Sequence, residues 1–247
     1  MPHAAKFFFH GRLNDFLPKL RKNEWLAYNF DGAPAVKDAM EAIGVPHPEI
    51  GNILINGAAA GFMHPLQTGV EVEVFPAVCA TTSPGKIPTD AELLDPVKFI
   101  LDVHLGKLAK LLRMAGFDTL YETSYDDKVI AQIARADNRI VLTRDVGLLK
   151  HKAIQQGYWL RSQHGNEQLT EVIKRYGLQK AVQPFKRCLV CNGLIRQVEK
   201  ETVQEQLPPK TKLYFSEFYQ CTCCNKVYWK GSHYERMQQF LQQINIE

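Results

Sequence analysis

Between Phe99 and Leu149 short apolar runs alternate with amphipathic stretches, and that alternation leaves the chain few folds to choose from. Phe99-Ile100-Leu101 is a run of strand type, ended by Asp102. Leu105, Leu108, Ala109, Leu112 and Ala115 then recur at three- and four-residue spacing, which predicts a helix stopped by Gly116. A second strand is expected around Thr119–Tyr121. The acidic step Ser124-Tyr125-Asp126-Asp127 follows, and then a helix with Val129, Ile130, Ile133 and Ala134 inward. Ile140-Val141-Leu142 forms a third strand that runs into Thr143-Arg144-Asp145. Strands alternating with helices predict a parallel sheet, and open parallel sheets bind ligands beyond the carboxyl ends of their strands. Asp102 and Asp145 both fall at such ends.

Carboxylates gathered at one place repel and raise each other's pKa unless a cation sits between them. Mg²⁺ and Mn²⁺ are hard ions that take oxygen ligands, use one or two carboxylates with waters and phosphates, and activate water for phosphodiester cleavage. Each aspartate alone also reads as the cap of the helix that follows it. Taken together at strand ends, with Asp127 at a helix start, they favour the metal. Asp127 also fits a capping box with Ser124, and Asp126 is its rival as ligand. Arg144, between Thr143 and Asp145, is the candidate to hold a scissile phosphate, because a guanidinium grips it with two hydrogen bonds. On the first helix Lys107, Lys110 and Arg113 step by three; they read as a solvated face, with phosphate contact the alternative. His104 reads as a polar surface residue.

The stretches LDVHLGKLAKLLRMAG, DDKVIAQIA and RIVLTRDVGLL, with RCLVCN and VYWKGSH further on, resemble the Mut-seven C-terminal RNase family. The resemblance covers roughly Phe99 to the C-terminus and implies a PIN-like nuclease fold joined to a zinc ribbon. It also implies that Asp102, Asp127 and Asp145 are the metal-binding acids. Many PIN nucleases carry a further acid just after the third-strand aspartate; here Val146-Gly147-Leu148 supplies none. A receiver-type phosphoacceptor would show an acidic pair at the first strand, and Val103 beside Asp102 argues against it.

The first 80 residues have a different pattern. Ala5–His10 and Glu24–Phe30 are strand candidates, and a helix with Val36, Ala39, Met40 and Ile43 inward closes at Gly44 and Pro46. Ile53-Leu54-Ile55 meets Asn56-Gly57, a tight-turn signal, and Val70, Val72 and Val74 alternate in a half-buried strand. Two strands, a helix and further strands describe a ubiquitin-like β-grasp. INGAAAG and LQTGVEVEVFPAV look like the small sulfur carriers of thiamine and molybdopterin synthesis, which act through a free C-terminal Gly-Gly. Here Cys79-Ala80-Thr81-Thr82-Ser83-Pro84-Gly85 runs on instead, so the carrier chemistry is expected to be lost and a binding or scaffolding role, toward a protein partner not named by the sequence, to remain. Cys79 reads as a stray or packed thiol rather than a nucleophile.

Five of the six cysteines lie in the last quarter. Cys188-Leu-Val-Cys191 and Cys221-Thr-Cys-Cys224 are two C-x₂-C knuckles, and four thiolates at that spacing make a closed tetrahedral Zn²⁺ site. Cys223 leaves an alternative, Cys221-x-Cys223; the two-residue gap gives the usual knuckle geometry. The residues between the knuckles read as strand and loop. Ser232-His233-Tyr234-Glu235 reads as a capping box opening a final helix, and Tyr228 and Trp229 as packing on the ribbon rather than on bases.

The resulting expectation is an α/β architecture of three parts. A β-grasp domain occupies residues 1–80, a Thr/Pro/Ser/Gly-rich linker 81–97, a PIN-like domain 98–182, and a zinc ribbon with a C-terminal helix 183–247. Lys and Arg number 6 against 8 Asp and Glu up to Ala80, 15 against 12 over Thr81–Lys180, and 9 against 6 from Ala181. The basic excess thus sits in the two later parts, which suits a polyanion such as RNA. No apolar run approaches the length of a membrane span and no signal peptide is present, so a cytoplasmic protein without membrane association is expected. The reading is a Mg²⁺- or Mn²⁺-dependent ribonuclease with a structural zinc ribbon aiding substrate binding. The alternative is a non-catalytic RNA- or ribosome-associated module on the same fold.

Overall fold

The computed structural model describes residues 3–77 and 96–246, so Cys79 and the expected linker up to residue 95 lie outside the described residues. In chain order the strands and helices begin with β1 (His3–Phe9), β2 (Leu26–Phe30), α1 (Val36–Ile43), β3 (Ile50–Ile55), β4 (Ala58–Ala59) and β5 (Glu71–Pro76). They continue with β6 (Lys98–Leu101), α2 (Gly106–Met114), β7 (Asp118–Leu120), α3 (Asp127–Ala136), β8 (Ile140–Thr143), α4 (Val146–Leu149), β9 (Gly157–Trp159) and α5 (Gly165–Tyr176). The last part holds β10 (Ile195–Val198), α6 (Lys200–Val203), α7 (Pro209–Tyr214), β11 (Phe218–Cys221), β12 (Val227–Trp229) and α8 (Ser232–Ile246). No helix of the described residues is long and apolar enough to cross a membrane.

The chain divides into two compact units: Met1–Leu94 with Asp127–Trp159, and Asp95–Asp126 with Leu160–Glu247. In the first unit the β-grasp sheet runs β2-β1-β5-β3-β4, with β1 antiparallel to β2 and parallel to β5. Its tight turn and its helix follow from local chemistry. Asn56 and Gly57 both take positive φ, 48° and 80°, as the primed turn between β3 and β4 requires. α1 ends at Gly44, whose φ of 133° suits glycine and whose N–H donates to Met40 O. Phe7, Phe9, Leu13, Met40, Val72 and Val74 form the core between sheet and helix. The same unit contains the parallel pair β8–β9, with Val141 opposite Gly157.

Buried polar contacts, not only apolar packing, join that pair to the β-grasp. Trp159 N–H donates to Glu49 Oε1 at 2.7 Å, and Glu49 is 0% exposed. Arg12 Nε stands 3.5 Å from Glu49 Oε2. His47 Nε2 meets Ile154 O at 2.7 Å, Lys150 Nζ donates to Glu41 O at 2.7 Å, and the rings of Phe16 and Trp159 lie 5.3 Å apart. The compact unit therefore extends well past the β-grasp itself.

In the second unit β6 and β7 are parallel, with Phe99 opposite Thr119, and α2 packs on α5. Phe99, fully buried, meets Phe117 edge-on at 5.9 Å and Tyr176 at 6.1 Å. α5 closes at Gly177 in the left-handed region, φ 62°. The ribbon sheet, β10-β11-β12, is antiparallel. Between its knuckles the chain also makes the short helices α6 and α7, where strand and loop were expected. Val203 of α6 and Leu207, between the two helices, close a small core with Phe218, Trp229 and Phe215, which explains why Trp229 faces inward.

Candidate metal centres

Asp102 directly follows β6 and caps the 3-10 turn Val103–Leu105: its Oδ1 accepts the N–H of His104 at 2.7 Å, and the residue is 6% exposed. Asp145 follows β8 by two residues and caps α4, with Oδ1 accepting Gly147 N–H at 2.7 Å, and it is exposed. Both aspartates therefore serve as helix caps, and each cap uses one oxygen of the carboxylate. Asp127 is the first residue of α3 and exposed; that start leaves Asp126, and not Ser124, just before the helix. Asp102 belongs to one compact unit, Asp127 and Asp145 to the other. The backbone carbonyl of Arg144 accepts Trp159 Nε1–H at 3.0 Å, and its side chain is half-buried. His104 is exposed.

Cys188, Cys191, Cys221 and Cys224 converge so that their four sulfurs lie within 4.8 Å of one another. Sulfurs about 2.3 Å from a tetrahedral zinc stand about 3.8 Å apart. The Cys188–Cys224 and Cys191–Cys221 separations, 3.6 and 3.4 Å, are close to that. Gly193 leaves room for the cluster, since a Cβ there would sit 2.9 Å from Cys221 Sγ and 2.7 Å from Cys223 Cβ. Cys223 is exposed and stands outside the group, offering only its N–H to Cys221 Sγ at 3.4 Å. The donor set, soft thiols in a closed tetrahedral arrangement, fits zinc.

Electrostatics divides the four thiols. Burial pushes Cys188 up, but hydrogen bonds from the Tyr228 hydroxyl and from the N–H groups of Cys191 and Val190 outweigh it, bringing the thiol down to about 6. Cys224 is lowered by the Lys226 N–H yet raised by burial and by its three neighbours, ending at about 12. Burial likewise pushes Cys221 up. A divalent ion bound by the four sulfurs would draw off the protons that remain on them. Tyr228 Oη stands 3.0 Å from Cys188 Sγ and accepts Leu189 N–H at 3.2 Å.

The first knuckle is fastened to the helix and strand before it. Arg113, expected on a solvated face or against phosphate, is instead 4% exposed. Its Nε donates to Thr119 O at 3.0 Å, and Nη1 to Val190 O at 2.8 Å and Leu189 O at 3.3 Å. Burial lowers its pKa, and Glu122 opposes that. Asn192 accepts Thr119 N–H at 3.0 Å and donates to Asp118 Oδ1 at 2.8 Å. Arg113, Asn192, Tyr228 and Gly193 were not singled out by their sequence context for these roles; an Asn just past a C-x₂-C knuckle was the one local hint.

The model of the Mut7-C RNase domain matches residues 97–241. The chain belongs to the Mut7-C RNase family. The Mut7-C match spans the three aspartates, Arg144 and all four clustered cysteines, and a Mut7-C ubiquitin model matches residues 2–82. Among solved structures the Mut7-C chain is similar to small archaeal modifier protein 1 of H. volcanii, at 21% identity and TM-score 0.25, over 31% of this chain and 99% of that one. It is also similar to the Haloferax volcanii protein HVO 2177, at 20% identity and TM-score 0.26, over 32% of this chain and 87% of that one. A search of curated proteins finds no match.

Proposed function

We propose that this protein is a metal-dependent ribonuclease that hydrolyses RNA phosphodiester bonds, with Asp102, Asp127 and Asp145 holding Mg²⁺ or Mn²⁺. The Mut7-C RNase match carries the reading, because it includes two acids set just beyond strands β6 and β8, each in a parallel pair. The donor chemistry supports it, since carboxylate oxygens suit a hard divalent ion, and the caps at Asp102 and Asp145 occupy Oδ1 of each. Such an ion, when bound, lowers the pKa of water and stabilises charge on the phosphate. Arg144 is assigned to orient the scissile phosphate through paired hydrogen bonds. The four cysteines hold a structural zinc, and the ribbon contributes to RNA binding. The β-grasp domain works by contact with a protein partner, its chain running on beyond where a carrier would end.

The test is cleavage of labelled single-stranded RNA by zinc-loaded protein in buffer freed of divalent ions, with Mg²⁺ or Mn²⁺ added back. Asp145→Asn should lower the rate by orders of magnitude while folding survives, because the cap to Gly147 persists through the amide oxygen. Arg144→Lys should lose less, since charge remains and only the bidentate grip goes. Undiminished cleavage by Asp145→Asn would sink the acid assignment. A wild type that binds RNA but cuts nothing with either metal would install the non-catalytic reading, which the lack of an acid at Val146-Gly147-Leu148 favours.

A further inference from the structure

A cleft of about 340 Å³ opens between α2, the turn after β7 and the first zinc knuckle. It lies near the lower end of ligand-site volumes, about 300–1,000 Å³, a size for one nucleotide unit rather than for a helix or a duplex. One wall is the ring of Tyr121, fixed because its hydroxyl donates to Val103 O at 2.9 Å. Gly106 makes that approach feasible: a Cβ there would meet Tyr121 Oη at 2.8 Å. Val190, 57% exposed, also lines the cleft, on a backbone that Arg113 holds in place. The cleft begins at Gly106, at the end of the turn that Asp102 caps, so its occupant would adjoin that acid.

Two charged side chains line the cleft beside the buried Arg113, whose charge Glu122 feels. Among the described residues neither the Lys110 ammonium nor the Glu122 carboxylate makes a hydrogen bond or an ion pair, and both are exposed. A cleft lined by a fixed aromatic ring and an exposed aliphatic side chain suits a planar base, as unstacked RNA bases are commonly held. A cation nearby suits its phosphate. The carboxylate narrows the choice further, since it only accepts hydrogen bonds. Guanine alone presents two adjacent donors, N1–H and the exocyclic amine, on its pairing edge; adenine, cytosine and uracil each present one donor group there.

We propose, building on the ribonuclease reading, that this cleft receives one guanine nucleotide of single-stranded RNA. Tyr121 and Val190 sandwich the base, Glu122 accepts from its pairing edge, and Lys110 meets a phosphate. A peptide is less suited, because α2, the turn after β7 and the knuckle that line the cleft offer it no strand edge to pair with.

The experiment uses zinc-loaded full chain carrying Asp145→Asn, without added divalent ions, and fluorescence anisotropy with seven-nucleotide oligouridine holding one central guanosine, inosine or adenosine. The guanosine probe should bind about 10- to 100-fold tighter than the adenosine probe, the range of a paired-hydrogen-bond discrimination, with inosine between them. Glu122→Gln should erase most of that preference without weakening the adenosine complex, since the amide puts an N–H donor where the carboxylate has its second acceptor oxygen. Lys110→Ala should weaken all three alike and lower the salt slope by about one. Equal affinity for the three probes, or a guanosine preference that survives Glu122→Gln, overturns the assignment. Wild-type cleavage measured in parallel separates the two failures. A protein that cuts RNA without base preference refutes the cleft alone, whereas one that neither cuts nor binds refutes the ribonuclease reading and the cleft with it.

Discussion

Arg113 offers the sharpest trial of how the zinc ribbon is tied to the helix before it. It is 4% exposed and donates three hydrogen bonds, one to Thr119 O and two to the knuckle carbonyls of Leu189 and Val190. Arg113→Lys keeps the charge but removes the planar fork, so at least two of the three bonds go. A bond from a charged donor contributes about 1.5–3 kcal/mol, and partial recovery by the ammonium or by entering water brings the net cost to about 2–4 kcal/mol. Arg113→Met, similar in length and wholly apolar, leaves all three carbonyls without this partner and should cost about 3–5 kcal/mol, the range for breaking buried charged contacts. Against a total stability of roughly 5–15 kcal/mol, either loss is large. Urea denaturation of the zinc-loaded chain reads the stability, and transfer of zinc to a chromophoric chelator reads the hold of the knuckle. Both should worsen in the order wild type, Lys, Met, while Lys110→Met on the exposed face of α2 should shift stability by less than about 0.5 kcal/mol. Arg113→Met within about 1 kcal/mol of wild type, with unchanged zinc release, would refute the reasoning.

Elemental analysis should find one zinc per chain; Cys191→Ser should release it and destabilise the ribbon, whereas Cys223→Ser should retain it, and the reverse result would reassign the second knuckle. Glu49→Gln should lower the melting temperature by an amount worth about 1–3 kcal/mol, and Glu49→Ala by about 3–5, because the carboxylate is wholly buried between Trp159 N–H and Arg12; melts indistinguishable from wild type would remove Glu49 from the joint. Incubation with a carrier-activating enzyme and ATP should leave the β-grasp domain unmodified, and mass spectrometry detecting an adenylate near Cys79 would contradict that.

What the sequence disclosed was local. Gly44 and Gly116 follow helices where the apolar periodicity stops, and Asn56-Gly57 makes its turn because both residues tolerate positive φ. The strand-then-aspartate steps at Asp102 and Asp145 are visible for the same reason: strand, cap and helix are neighbours in the chain. Arg113 escaped because its meaning lies 76 and 77 residues away, at Leu189 and Val190. Helical periodicity reports which face of α2 meets its own core, and a basic residue beside that face looks solvated until a second element covers it. The joint between the β-grasp and β9 was hidden likewise, since Glu49 and His47 find Trp159 and Ile154 across 110 and 107 residues. The helices α6 and α7 were missed because each is under two turns, too short for periodicity to separate helix from strand.

These long-range contacts change what the ribbon is for. Its own core is small: among the described residues the buried members of its apolar cluster are Val203, Leu207 and Phe218, worth about 1.5–3 kcal/mol each. Ordering a residue's backbone costs about 1–2 kcal/mol, so three such side chains cannot order the stretch between the knuckles. Structural zinc contributes on the order of 10–16 kcal/mol in small finger domains, enough to make the difference. The knuckle so ordered presents Leu189 and Val190 to Arg113, and Asn192 to Thr119 and Asp118. α2 and β7 both depend on those bonds, and α2 begins at the end of the turn that Asp102 caps. Loss of zinc should therefore be felt first at the wall formed by Val190, then at α2, and only through α2 at Asp102. A chain stripped of zinc should lose RNA affinity before it loses the secondary structure of its β-grasp half, whose core shares no residue with the ribbon.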